Sequence, residues 1–313
     1  VAHGDCLDYV WDIARDHPGG TNWYHPHHHP LVEDQVNGGA FGLIIVDDNR
    51  SLNPNVPQWA QYERVLQIFR SNQDRFLANG QNSYEVGVER NRWFRLRVSV
   101  VDPRGGTGRF TIGSGCEYMK VAHDGIWSST VPQPARASHL LAGASRADFA
   151  VRCQSTASIT FRGRTVGQIR LSNPTSNALG IFTWIPNRPA SMQDIRNAVV
   201  PFQNNFDITM SETGINNIFY NRNVPLRTLA YNQVHEWNIR RSEIHSFHLH
   251  MYHVMIVSPG GCKQKRAVES AWARHASARA SGGHDSKASR ITELDRASRV
   301  ASSKGLEHAR ALA

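Results

Sequence analysis

The sequence predicts an all-β protein built from consecutive β-sandwiches. Three observations carry that expectation. Apolar and polar residues alternate in short runs, clusters of Gly, Pro and Asn break the runs at close intervals, and only one stretch has helical spacing. Residues 93–100 show the alternation best, with Phe94, Leu96, Val98 and Val100 on one side and Trp93, Arg95, Arg97 and Ser99 on the other. Strands are likewise expected over 156–161, 165–171 and 234–239. Asn79-Gly80 is a turn signal, because both residues tolerate the positive φ that a tight hairpin needs. The helical exception is 58–69, where Trp59, Tyr62, Val65, Leu66 and Phe69 recur on one helix face.

Turn clusters also divide the chain. Residues 1–48 end on the apolar run Leu43-Ile44-Ile45-Val46, and a linker-like 49–57 follows. A second unit is expected over 49–162 and a third over 163–261, closing at Pro259-Gly260-Gly261. From Cys262 the composition changes to Ala, Ser, Arg and Lys, and Ala-Ser-Arg recurs at 288–290 and 297–299. Residues 262–313 are therefore expected as a basic, low-complexity tail, disordered or loosely helical, because they hold too little apolar surface to offset the entropy of ordering.

That tail carries eleven Lys and Arg against five Asp and Glu, a net +6 of the chain's formal +9. The body is thus close to neutral, and the tail lacks the interleaved aromatics of a nucleic-acid arm, so no nucleic-acid partner is expected. No apolar run approaches the roughly 18 residues of a membrane span. Val1-Ala2-His3-Gly4 lacks both an initiator Met and the pattern of a signal peptide, as expected of a processed chain or a fragment. The four cysteines, Cys6, Cys116, Cys153 and Cys262, show no CxxC spacing. Cys116 and Cys153 could pair within one unit, which the sequence leaves open.

Two histidine clusters carry the chemistry. In Trp23-Tyr24-His25-Pro26-His27-His28-His29-Pro30, an extended backbone puts His25, His27 and His29 on one face and His28 on the other. In His245-Ser246-Phe247-His248-Leu249-His250, His248 and His250 share a face and His245 lies opposite. Imidazoles at i and i+2 on a rigid strand can reach one metal cluster, and imidazole suits copper and zinc. The competing readings are a surface tract that picks up divalent ions adventitiously and, for His253 above all, a histidine satisfied inside a core.

Thr21-Asn22-Trp23-Tyr24-His25-Pro26-His27, followed by Gly38-Gly39-Ala40-Phe41-Gly42 and the run to Val46, resembles the second copper-ligand motif of the multicopper oxidases, the family of laccases, ascorbate oxidase and bacterial copper oxidases. His245-Ser246-Phe247-His248-Leu249-His250 is similar to that family's third motif, with Ser246 where the family has Pro. Asn79-Gly80-Gln81, Arg95-Leu96-Arg97, Asp124-Gly125 and Arg146-Ala147-Asp148 resemble landmarks of its second domain, so the resemblance spans about residues 18–260.

The resemblance implies tandem cupredoxin-like (plastocyanin-like) Greek-key β-sandwich domains: the C-terminal part of a first over 1–48, a second over 49–162 and a partial third over 163–261. It implies copper as cofactor, in type 1, type 2 and paired type 3 sites. His25 and His27 would bind the type 3 pair, His248 type 2 copper, His250 type 3 copper and His245 type 1 copper. No catalytic residue is implied beyond these metal ligands. The implied activity is one-electron oxidation of a small reducing substrate (a phenol, an ascorbate-like compound or a metal ion) coupled to reduction of dioxygen to water. The implied location is extracellular or periplasmic.

The family's first motif would precede Thr21, and its fourth, a His-Cys-His, would follow the third-domain strands. Cys262 is flanked instead by Gly261 and Lys263, with Ala267 where a later ligand belongs. An interrupted or misread coding sequence after Gly261 is one expectation from this break. The alternative function is a copper-binding or structural cupredoxin protein without catalysis.

Overall fold

The computed structural model describes residues 4, 6–10, 12–28, 30–173, 180–181, 183–189, 192, 194–211, 214–221, 223–231, 233–241, 246–250, 253–259, 265–269 and 308–310. Near the N-terminus, β1 (Gly20–Tyr24) pairs antiparallel with β2 (Gly42–Val46) across the short helix α1 (Val32–Asn37). Gly42 faces Tyr24 in this pair, and a Cβ there would meet the Tyr24 ring within 2.6 Å, so the glycine lets the tyrosine lie across its neighbour.

The middle of the chain is a two-sheet sandwich. Its strands are β3 (Glu63–Arg70), β4 (Phe76–Ala78), β5 (Tyr84–Glu89), β6 (Phe94–Val101), β7 (Thr107–Ile112), β8 (Cys116–His123), β9 (Ile126–Trp127), β10 (His139–Ala142), β11 (Arg146–Cys153), β12 (Ala157–Phe161) and β13 (Arg164–Ser172). One sheet runs β4-β3-β6-β11-β8-β9 and the other β10-β7-β12-β13-β5. The pairs β3/β6 and β13/β5 are parallel and the remainder antiparallel, so the chain crosses between the sheets as a cupredoxin-like sandwich requires. Between the sheets, Leu66, Leu96, Val98, Phe110, Phe149 and Ile159 are fully buried, each contributing about 1.5–3 kcal/mol of burial.

A third unit holds β14 (Asn205–Thr209), β15 (Gly214–Ile215), β16 (Ile218–Phe219), β17 (Glu236–Arg240), β18 (His248–His250), β19 (Val254–Pro259) and β20 (Lys265–Glu269), with β21 (His308–Arg310) beside β18. Its main sheet runs β14-β17-β20-β19 over a core of Ile208, Met210, Trp237, Ile239 and Phe247.

The alternating runs become β6, β12, β13 and β17, and Asn79-Gly80 forms a hairpin turn with φ of 48° and 78°. The Asn79 side chain also ties that turn back to β3, accepting from Gln67 N and donating to Val65 O. Cys116 and Cys153 form a disulfide, facing each other across β8 and β11.

Three expectations change. Residues 58–69 are not a helix: Gln58–Gln61 is one 3-10 turn and β3 follows. Leu66 and Ile68, both fully buried, set a period of two, and pairing with β6 and β4 overrides the helical spacing of the aromatics. The middle sandwich does not stop at 162, because β13 pairs with β12 and β5 and carries it to Ser172. Within the tail expected from 262, Lys265–Glu269 is a strand between β17 and β19; most of the rest lies outside the described residues.

Both faces of β6 are buried, although its alternation reads as half-exposed. Phe94, Leu96, Val98 and Val100 enter the inter-sheet core. On the opposite face, Arg95 and Arg97 are covered by β1, by Trp127 and by the carboxylates described next.

Candidate metal centre

The N-terminal hairpin is seated by a buried ionic network. The Thr21 hydroxyl donates to Asp148 Oδ1 at 2.7 Å and accepts from Arg97 Nη1 at 2.9 Å, and the Thr21 carbonyl accepts from Arg146 Nε at 3.2 Å. Asp148, 1% exposed on β11 opposite a register shift that leaves Val121 of β8 without a partner, also accepts from Arg95 Nε at 2.9 Å and Nη2 at 2.5 Å. Asp48, just beyond β2, accepts from Arg95 Nη1 at 2.9 Å and from Trp127 Nε1 at 2.8 Å. Glu63 pairs with Arg97, and Asp124 with Arg146. Burial alone would lower the Arg95 pKa, but the carboxylates of Asp148 and Asp48 more than reverse it, so its charge is fixed.

From this base the chain runs along β1 to the first histidine cluster. Trp23 stacks on the His25 ring at 4.4 Å with 17° between planes, and the His25 and His27 rings lie 5.8 Å apart. His28, beyond the end of β1, is exposed.

The second cluster is set by the third core. Phe247 is buried edge-on against Trp237 at 5.7 Å, and Leu249 packs on the same cluster. Alternation along the strand therefore turns His248 and His250 to the other side, where their rings lie 4.8 Å apart.

The two clusters meet. His27 and His250 contact each other edge-to-face at 5.0 Å. His25, His27, His250 and His248 thus form a continuous row of rings, whereas His245 and His29 lie outside the described residues. Among the described residues, no three His, Cys, Asp or Glu side chains converge on one point as a metal-binding group.

The spacing still suits metal. Two imidazoles sharing one ion through bonds of about 2 Å have ring centres about 4.5–5.5 Å apart. The contacts at 4.8 Å and 5.0 Å fall within that range, and the donor set is imidazole alone, a chemistry that suits copper. His27, His248 and His250 therefore fit the group by chemistry and separation, and His25, 5.8 Å from His27, by chemistry alone.

Sequence patterns single out both histidine clusters but assign no role to Thr21, Asp48 or Asp148. The available signal was charge complementarity: two arginines alternate along β6, and an aspartate lies on the adjacent β11.

Residues 185–282 match the multicopper oxidase family model, a stretch that includes His245, His248 and His250 and continues past Cys262. Over four-fifths of its length the chain also shares its fold with solved multicopper oxidases. Against the bacterial laccase-like multi-copper oxidase CueO of Ochrobactrum sp., the identity is 15%, with 82% of this chain and 70% of that one covered and a TM-score of 0.65. Against a Pseudomonas thermotolerans multi-copper oxidase the values are 16%, 80%, 69% and 0.66, and against a Campylobacter jejuni metallo-oxidase 15%, 80%, 66% and 0.59. The family match is confined to residues 185–282, and over most of its length the chain has the fold of solved multicopper oxidases, in agreement with the row of histidines.

Proposed function

We propose that this chain is a copper-binding oxidoreductase, with His25, His27, His248 and His250 holding copper where the two clusters meet. The observation that carries the proposal is the His27–His250 contact, which joins segments from opposite ends of the described fold. Bound copper would supply one-electron redox chemistry, drawing electrons from a small reducing substrate and delivering four of them to dioxygen to give water. The residues themselves hold and orient. Neutral imidazoles tolerate both copper oxidation states, Trp23 fixes the plane of the His25 ring, and the Phe247 anchor fixes the direction of His248 and His250.

Assigned by resemblance, His25 and His27 serve a type 3 pair, His250 type 3 and His248 type 2, with His245 serving type 1. A phenol, an ascorbate-like compound or a metal ion is the proposed class of reductant. One related protein, from Ochrobactrum sp., has oxidase activity towards lignin model compounds and lignosulfonate, which favours the phenol. An extracellular or periplasmic setting suits such chemistry and the Cys116–Cys153 disulfide. The domain proposal keeps an N-terminal first unit, a second unit extended to Ser172, and a third that includes β20.

Copper analysis of the purified chain with an oxygen electrode tests this. Stoichiometric copper, lost in His27→Ala and His250→Ala, with oxygen uptake on a phenolic reductant is expected. Copper without oxygen uptake would support the non-catalytic alternative, and no copper would overturn the metal centre.

A further inference from the structure

We propose that Thr21, Arg97 and Asp148 are positioning residues for the metal centre: they form a clamp in the middle sandwich that fixes where the N-terminal histidines stand relative to His248 and His250. The inference rests on the copper-centre proposal above. Its starting point is an asymmetry in the β1–β2 pair. The hydrogen bonds described above that pin this hairpin to the sandwich lie at one end, at Thr21 in β1 and Asp48 after β2, while the histidines lie at the other, where the hairpin touches β3 through the Phe41–Phe69 ring contact at 4.8 Å.

The pinned end has no slack. Thr21 is fully buried, with its hydroxyl both donating and accepting and its carbonyl also engaged. Next to it, a Cβ on Gly20 would lie 2.0 Å from the carbonyl oxygen of Gly125, so the backbones of β1 and the β8–β9 turn are already at closest approach. Four residues of extended chain, about 13 Å, separate Thr21 from His25. The hairpin is therefore a lever: a small rotation at Thr21 becomes a larger displacement at the imidazoles. Metal sites need their ligands held to about 0.5 Å, and outer contacts that orient ligands change metal affinity by about 10–100-fold. The sandwich thus does more than separate the two histidine clusters. It sets the distance between them.

The test uses the full chain and cupric ion as probe. Thr21→Val keeps the volume of the side chain and deletes the hydroxyl, Thr21→Ser keeps the hydroxyl, and Thr160→Val deletes a hydroxyl paired with Thr111 on the opposite sheet. Copper affinity is measured by chelator competition, copper geometry by electron paramagnetic resonance, and the seating of β1 by amide hydrogen exchange without metal.

Thr21→Val is expected to lose about 10–100-fold in affinity. Its resonance signal should broaden, and exchange should speed up over Gly20–Tyr24 but not in β6. Thr21→Ser should restore all three, and Thr160→Val should change none of them. A Thr21→Val chain that unfolds at lower temperature yet binds copper with unchanged affinity and signal would reduce Thr21 to a structural role and overturn the clamp, as would unchanged exchange in β1. Absence of copper from the unsubstituted chain would instead overturn the proposed function, and the positioning role with it.

Discussion

Removing the Asp148 carboxylate tests how much of the stability rests on the ionic network. Asp148→Ala takes away the acceptor of two Arg95 contacts and of the Thr21 hydroxyl, together with a longer contact to Arg97 at 3.4 Å. Arg95 keeps Asp48 and Arg97 keeps Glu63, so neither guanidinium is stranded, but both remain buried with one partner fewer. Breaking a buried ion pair from one side costs about 3–5 kcal/mol, most of it from the charge left behind. For a sandwich running from Glu63 to Ser172 that corresponds to a fall in melting temperature of about 12–22 °C. Asp148→Asn, which keeps one acceptor oxygen but loses the charge, should lose roughly half as much. Thermal unfolding followed by circular dichroism gives the global change, and Trp127 fluorescence follows the network, because Arg95 lies over that ring at 4.1 Å. A double-mutant cycle with Arg95→Met isolates the pair and should show coupling of at least about 1 kcal/mol. A melting temperature within 2 °C of the unsubstituted chain for Asp148→Ala, or zero coupling, would refute the network's contribution.

His139 predicts a pH dependence. It is 8% exposed against the Tyr118 and Phe149 rings, and burial, reinforced by the charges of Lys120 and Arg136, pushes its pKa down to about 4. Above about pH 6.5 the ring is neutral in both folded and unfolded chains, so its contribution is complete there. As the pH falls from about 6.5 to 4, the unfolded chain takes up a proton that the folded chain refuses, and stability falls by up to about 3 kcal/mol. His139→Leu should flatten that part of the urea-midpoint profile, and an identical slope in the variant would rule His139 out as its source. Replacing Cys116 and Cys153 by Ser opens a loop of 37 residues and should cost about 4 kcal/mol, read from urea midpoints; a loss under about 1 kcal/mol would show that the bridge constrains little.

The histidine clusters were legible because alternation fixes which ring faces which side before any tertiary contact is known. His248 and His250 turn away from Phe247 by the same rule that sends Leu96 and Val98 inward. The stretch 58–69 misled because Trp59 belongs to a second core, with Trp93, Trp127 and Trp184 outside the sheet, while Leu66 and Ile68 belong to the first. Their combined spacing imitates a helix only when the two cores are counted as one. The end of the middle sandwich was misplaced because Arg162-Gly163 reads as a boundary, yet it is the hairpin turn between β12 and β13, with φ of 49° and 74°. Alternation separates Arg95 and Arg97 from the apolar face but does not say what covers them. Only the arrival of β1 and β11 from distant parts of the chain turns that face inward.

The meeting of His27 and His250 also constrains the order of assembly. Loop closure over so long an intervening chain is entropically unfavourable until the middle sandwich has folded and shortened the effective distance. The row of four rings therefore comes into being late, whereas His25, His27 and His28 are neighbours from the moment of synthesis. If the proposed copper centre holds, cupric ion offered to the unfolded chain would meet only such local groupings and stabilise the wrong state, whereas ion offered after folding would meet the assembled row and stabilise the native one. On that proposal the timing of metal supply, and not its concentration alone, would decide the yield of loaded protein.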